Sequence, residues 1–381
     1  MFMTKYVKQN TIFNKRRIVM KKRALLIMLL IFSMVIYTGC SNKNPEVSED
    51  LEAKEDIVTE DIEDTKEDKY DFEGKTMNVV TTSEKYVELF DAFSQEVNAN
   101  VEFLSMSSGE VIARIEAEGG QPMADLWFGG GIDAFMAAKD LGLLEQYVPK
   151  EVEKIDKRFI DSENYWISKG LTVVGFLVNE ELLQEKNLAV PTTWDEIADP
   201  KYKDEIIMAN PAISGTNYGA VKGILDMKGE EAGWEYLAKL NDNIPFYGKR
   251  GKDPEEKTVA GEFAIGIIPT DKGSFDVAVK NNLKVIYPED GIPWVPEGVA
   301  IFKDGNGEDI AKAFIDFMLR DENQKKLAEL DGKDSAQMIK EGIEGYDLGL
   351  PEDKLIDQDI STFGTMRESI LTKWEELTKG K

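Results

Sequence analysis

Residues 124–133 read Ala124-Asp-Leu-Trp-Phe-Gly-Gly-Gly-Ile-Asp133, and this stretch decides the fold class. Asp125-Leu-Trp-Phe128 is a short apolar run of the kind that forms a buried strand. Gly129-Gly130-Gly131 interrupts it, and the period then changes. From Ile132 to Leu141 the apolar residues recur at helical spacing, and Gly142 ends the stretch. Strand, glycine turn and helix make the first half of a β-α-β unit.

The same grammar holds upstream. Thr76–Thr81 reads as a strand. Glu84 to Val97 reads as a helix with Tyr86, Leu89, Phe90 and Phe93 on one face. Val101-Glu-Phe-Leu104 is a second strand. Ser107-Ser-Gly-Glu110 opens a helix that runs to about Glu118, because Ser three residues before Glu is a helix-start signal. No internal repeat is visible. The pattern predicts an α/β body from about Asp71 to the C-terminus.

Each such step leaves a helix N-terminus at the C-terminal end of a strand. Free N–H groups and the positive end of the helix dipole favour anions there. Three turns qualify: Thr81-Thr82-Ser83, Ser107-Ser108-Gly109 and Gly129-Gly130-Gly131. None is a P-loop, and none carries Gly-x-Gly-x-x-Gly. Each alone is a capped helix; together they point to a ligand cleft.

Composition narrows the chemistry. A chain of 381 residues suits about two domains. With 42% hydrophobic residues and a mean hydropathy of −0.34, it reads as a globular protein. A net charge of −26 argues against a nucleic-acid partner, since phosphate backbones need basic surface. Histidine is absent, which excludes Ser-His-Asp catalysis, His-ligated zinc and haem, and histidine general bases. The single cysteine, Cys40, makes neither an internal disulfide nor a cysteine-rich metal site.

Charge is distributed unevenly. Residues 1–39 hold eight Lys or Arg and no acid, so the remainder carries −34. The apolar run Ala24 to Tyr37 is short for a membrane span of about 20 residues and fits the core of a secretory signal. Thr38-Gly39-Cys40 then resembles the lipobox of bacterial lipoproteins, although Tyr37 stands where Leu is usual. That resemblance implies cleavage before Cys40 and lipidation of its thiol. The alternative is an uncleaved anchor with an incidental cysteine. Met20 is a second candidate start, because Lys21, Lys22 and Arg23 suffice as its basic segment. Residues 41–70 carry twelve acids and four lysines, with no aromatic residue before Tyr70. Such a segment cannot bury enough surface to offset its ordering entropy. Residues 40–70 therefore read as a lipidated cysteine and an acidic tether; an acidic interaction segment is the alternative.

Residues 124–133, followed by Gly142-Leu-Leu-Glu145, resemble the N-terminal lobe of ABC-importer solute-binding proteins. The subgroup is that of the ferric-ion binders and their hexose-phosphate-binding relatives. Val190-Pro-Thr-Thr-Trp-Asp-Glu-Ile-Ala-Asp-Pro-Lys-Tyr-Lys203, Asn210-Pro-Ala-Ile-Ser-Gly-Thr216, Gly261–Ile268, Pro296–Phe302 and Ala311–Met318 continue the resemblance in order over about 75–330. It implies a type 2 periplasmic-binding-protein fold: two α/β lobes, two crossover strands and a cleft between. Gly170–Val178 and Gly298–Phe302 are the apolar runs long enough to cross. Lobe 1 is then 72–172 with 299–381, and lobe 2 is 173–298. Met366 to Leu377 reads as a final helix packed on a lobe.

The resemblance also implies the ligand chemistry. Ferric binders commonly use adjacent tyrosines with His or a carboxylate; this chain has Phe246-Tyr247 and no His. Ferric iron is therefore an alternative, with thiamine, polyamines and phosphonates as the ligands of sister families. The hexose-phosphate relatives hold phosphate on hydroxyls and backbone amides, and sugar hydroxyls on carboxylates. Thr82, Ser83, Ser108, Gly130, Ser214, Gly215 and Thr216 are the matching phosphate candidates. Asp271 and Glu297 are the carboxylates, and Thr270 stands where those relatives have His. Tyr247 is a further candidate, and Lys249 and Arg250 add basic groups. A helix cap is the plain reading of Asp271, and a solvated position that of Glu297, Lys249 and Arg250. Asp271 and Glu297 as a glycosidase pair, or a surface adhesin, are the other classes weighed. The expectation is a monomeric, lipid-anchored solute receptor on the extracytoplasmic face of the membrane. It has no cofactor, no metal and no enzymatic activity, and its partners are a small anionic solute and the permease and ATPase subunits.

Overall fold

The computed structural model describes residues 70–381. The segment read as a signal peptide, Cys40 and nearly all of the segment read as an acidic tether lie outside the described residues. Among those described, no helix is long and apolar enough to cross a membrane.

The chain opens with β1 (Thr76–Thr81), α1 (Val87–Val97), β2 (Asn100–Ser105), α2 (Ser108–Ala117), β3 (Leu126–Gly131), α3 (Ile132–Asp140) and the short β4 (Leu144–Glu145). β2, β1 and β3 lie side by side and parallel. Residues 84–97, expected as one helix, divide in two. Glu84–Tyr86 forms a tight 3-10 turn capped by the Ser83 side chain, and the α-helix begins at Val87. β5 (Ile167–Val178) follows, buried along its whole length.

Next come α4 (Glu180–Glu185), α5 (Trp194–Ile197), β6 (Ile206–Ile207), α6 (Gly215–Lys228), α7 (Glu230–Asn243), α8 (Asp253–Val259), β7 (Ile265–Thr270), α9 (Lys272–Lys280) and β8 (Lys284–Ile286). β9 (Trp294–Phe302) returns, and α10 (Glu308–Met318), α11 (Asp321–Asp331), α12 (Thr362–Thr365) and α13 (Arg367–Leu377) complete the chain.

The main sheet runs β2-β1-β3-β9-β5-β7-β6, with β4 beside β9 and β8 beside β5. β5 pairs with β9 as far as Val173 and with β7 from Val173 onward. β9 pairs with β5 from Trp294 and with β3 from Glu297. These antiparallel strands are the two crossovers, and the cleft lies between the lobes they join.

Strand alternation explains how β3 is buried on both faces. Leu126 and Phe128 point into one core and Trp127 into the other. On the first side Phe128 meets Tyr86, Phe90 and Phe314 edge-on. On the second Trp127 stacks on Phe135 at 4.0 Å and on Phe302 at 5.8 Å. Such offset and edge contacts add roughly 0.5–1.5 kcal/mol each beyond burial.

The C-terminal helices touch both lobes. Arg367 Nε donates to the buried Asp133 in α3 at 2.8 Å, and the Tyr218 hydroxyl in α6 donates to Phe363 O at 2.6 Å. Trp374 packs edge-on against Tyr247 at 5.1 Å.

Candidate functional site

The sheet is irregular on both sides of Gly298. Between the pairs Phe128–Val299 and Gly131–Glu297, Gly129 and Gly130 together face that one residue. Between Ser168–Gly298 and Gly170–Glu297, Lys169 is the extra residue on the opposite neighbour. Two bulges thus flank one position of β9, and bulges re-aim side chains. Gly129 and Gly130 have φ of +91° and +112°, conformations that L side chains rarely adopt. The free glycine turn expected at Gly129–Gly131 is therefore the bulged end of β3, with Gly131 as the N-cap of α3.

Four predicted residues meet here. A Cβ built on Gly130 would lie 2.8 Å from Ser108 Cβ and 3.5 Å from Thr82 Cγ2. One built on Gly215 would lie 3.0 Å from Ser108 Oγ and 2.7 Å from the Gly131 backbone. Thr82, Ser108, Gly130 and Gly215 therefore converge from both lobes, where α2, α3 and α6 all begin. The lips are closed, since Gly109 has no room for a side chain beside Ala212 and Ile213. Ser214 caps α6, its Oγ accepting from Asn217 N at 3.3 Å and Asn217 Nδ2 at 3.0 Å. Thr216 is half-buried in the first turn of the same helix.

The other candidates are placed differently. Ser83 spends its hydroxyl on Lys85 N at 3.3 Å. Asp271 caps α9, its Oδ1 accepting from Ser274 N at 2.9 Å, directly after β7 leaves the crossover strand. Tyr247 is not brought to the cleft. Its hydroxyl donates to Asn241 Oδ1 at 2.8 Å, its ring covers Trp374, and burial pushes its phenol well up. The N–H groups of Lys249 and Arg250 both donate to Asp253 Oδ2, at 2.7 and 3.1 Å, and Arg250 extends into solvent.

Glu297 is surrounded by groups that sequence reasoning missed. Lys169 Nζ donates to Glu297 Oε2 at 2.7 Å and also to Asp331. Thr172 Oγ1 donates to Glu297 Oε1 at 2.9 Å and accepts from Lys333 Nζ at 2.9 Å. Asp331 Oδ1 accepts from the Tyr86 hydroxyl at 2.7 Å and pairs with Lys85 Nζ at 2.8 Å. Lys169 itself has no exposed side-chain surface. Burial alone would raise the Glu297 carboxyl, but Lys169 and Lys333 outweigh it and hold the group at about 2. Burial would lower Lys169, but Asp331 and Glu297 keep it well above the ordinary lysine range. One signal was available: Lys169 is a lone charge inside the apolar run 166–178. The Asp331-Gly332-Lys333 contribution comes from far along the chain and has no local mark. Among the described residues, no group of three or more His, Cys, Asp and Glu is placed to hold a metal ion.

The sign of the Glu297 shift sets an acid response. A carboxyl depressed in the folded state adds stability above its unfolded value near 4.5 and loses it as pH falls towards about 2. We expect Glu297→Gln to be less stable than wild type at neutral pH. It should lose less further stability between about pH 5 and about pH 2.5, followed by urea unfolding. Parallel pH profiles for the two proteins would contradict the assignment.

Comparison with known proteins agrees with this geometry. A family model described as bacterial extracellular solute-binding protein matches residues 121–341, more than half of the chain. An uncharacterized protein of Haemophilus influenzae is 30% identical over 300 residues, covering 76% of this chain and 86% of that one. The periplasmic binding protein AfuA of Actinobacillus pleuropneumoniae, solved with fructose-6-phosphate bound, is 30% identical with a TM-score of 0.71, over 81% of this chain and 99% of that one. Iron-bound HitA of Pseudomonas aeruginosa shares the fold, at 18% identity and a TM-score of 0.66 over 80% and 99% of the two chains. The chain belongs to the bacterial extracellular solute-binding protein family, and is a solute-binding protein of the ABC-importer kind.

Proposed function

We propose that the protein captures a small anionic organic solute, a sugar phosphate, between its lobes and presents it to a membrane permease. The observation that carries this reading is the convergence of Thr82, Ser108, Gly130 and Gly215 where three helices begin. Helix N-termini and hydroxyls suit a phosphate, which is costly to bury without donors. Ser83, Ser214 and Thr216 border the same place. Asp271, beside the crossover, takes the hydroxylated end; Glu297, the other carboxylate of the sequence reading, has both oxygens engaged by Lys169 and Thr172. The 30% identity to a protein solved with fructose-6-phosphate supports the choice of solute.

Binding, without chemistry on the solute, is the role the site favours. A glycosidase pair needs one carboxyl able to hold a proton near neutral pH. Glu297 is held ionised by two lysines, and Asp271 is engaged as a cap. The ferric alternative loses its proposed tyrosine to Asn241 and Trp374. The exchange of strand pairing at Val173 and near Glu297–Val299 supports lobes divided near 172/173 and 298/299, with α13 lying across both. We further propose that Cys40 anchors a monomeric receptor through lipid at the extracytoplasmic face of the membrane.

Two experiments test these readings. In calorimetry, Ser108→Ala should weaken fructose 6-phosphate about ten- to hundred-fold, the worth of one hydrogen bond to a charged group, while fructose changes little. No binding of any sugar phosphate by the wild type would remove the reading. Cys40→Ala should leave the precursor uncleaved or release the protein from the membrane fraction; unchanged mass and retention would refute the anchor.

A further inference from the structure

Lys169 is the extra residue of its bulge, and its side chain lies against Tyr86 and Phe128, on the face of the sheet that Ile167 and Leu171 share. Its Cε lies 3.3 Å from a Cβ built on Gly129, a point 2.9 Å from Thr82 Oγ1. The lysine stem, the Thr82 hydroxyl and the bulged glycine thus share one spot. Gly130, the next residue, abuts Ser108. The ammonium stands 5.0 Å from the Tyr86 ring centroid and 5.7 Å from that of Phe128, which screens it from solvent.

Its ionic surroundings are unbalanced. Lys169 and Lys333 are buried against Glu297 and Asp331, and those four charges cancel. Lys85 then adds a third ammonium, paired with Asp331 at 2.8 Å and with its side chain 37% exposed at the rim. Three ammonium groups therefore face two carboxylates, and one of them, Lys169, runs its stem beside Gly129 and Thr82. The surplus charge sits on the partly exposed Lys85, where a bound anion would complement it.

We propose that Lys169 makes the cleft choose phosphorylated over unphosphorylated solutes, with Lys85 supplying the surplus positive charge at its rim. The proposal rests on the sugar-phosphate reading above. Neutral hydroxyls and backbone N–H groups serve any acceptor oxygen. A fixed ammonium in a poorly screened interior rewards charge. Glu297 and Asp331 are positioning residues in this account: they hold the ammonium under the Gly129 bulge and keep it protonated.

The test titrates fructose 6-phosphate and fructose into wild type and three variants by calorimetry. Lys169→Met combined with Asp331→Asn removes one charge of each sign, so no buried carboxylate is stranded. It should weaken fructose 6-phosphate by about thirty-fold or more and fructose by less than about threefold. Lys169→Arg keeps the charge and should retain most of the preference. Lys85→Gln, at a partly exposed position, should weaken only the phosphate ester, by about three- to tenfold. A phosphate preference within about threefold of wild type in the double variant would overturn the proposal and leave Lys169 a strut between strands. If circular dichroism shows that the double variant does not fold, Lys85→Gln decides, and an unchanged preference there overturns it equally. A wild type that binds fructose and fructose 6-phosphate alike, or neither, removes the phosphate reading itself, a result distinct from loss of the lysine's role.

Discussion

Lys169 has no exposed side-chain surface, yet it lies between the two strands that carry the chain from one lobe to the other. A buried ammonium is tolerated only where opposite charges and hydrogen bonds surround it, and breaking such a set costs several kcal/mol. Here the set comes from four separate places: β5 itself, Glu297 on β9, the Asp331–Lys333 turn, and the Lys85–Tyr86 turn after β1. Both crossovers are therefore tied to the first lobe at one level of the sheet.

The two bulges make this arrangement possible. Position 169 is the extra residue of β5, and its ammonium reaches Glu297 and Asp331 at the edge of the core that holds Tyr86, Phe128, Ile167 and Leu171. Without Gly129 and Gly130, the end of β3 would carry side chains where Thr82, Ser108 and Lys169 now stand. Gly298 completes the set: a Cβ there would lie 2.6 Å from the Phe135 ring, which is itself stacked on Trp127. The apolar core of α3 and the polar floor of the cleft are thus separated by one residue of β9. Packing on one face fixes the geometry of recognition on the other.

Local signals were legible in the sequence, and distant ones were not. Thr76–Thr81, Leu126–Phe128 and the helix after Gly131 announce themselves by period and by glycine. The helix starts at Ser107 and Asp271 are visible because a cap is a short-range interaction, whereas the cap at Ser214 is not marked in the same way. Lys169 escaped notice because the crossover was read from Gly170, three residues late, and its charge fell outside the run. Its partner Asp331 lies 162 residues away, a separation that leaves no pattern. Tyr247 misled for the same reason. Beside Lys249 and Arg250 it looks like a ligand group, but its ring answers Trp374 near the chain end.

The anion we propose would sit where helix N-termini, hydroxyls and the lysine cluster meet. The central claim is most directly tested by native mass spectrometry of protein purified gently from its own cells, so that a captured solute stays bound. The account predicts a carried-over adduct that loses a phosphate group on fragmentation and whose amount falls in Ser108→Ala. A ferric adduct, or a solute that is neutral or cationic, would contradict it.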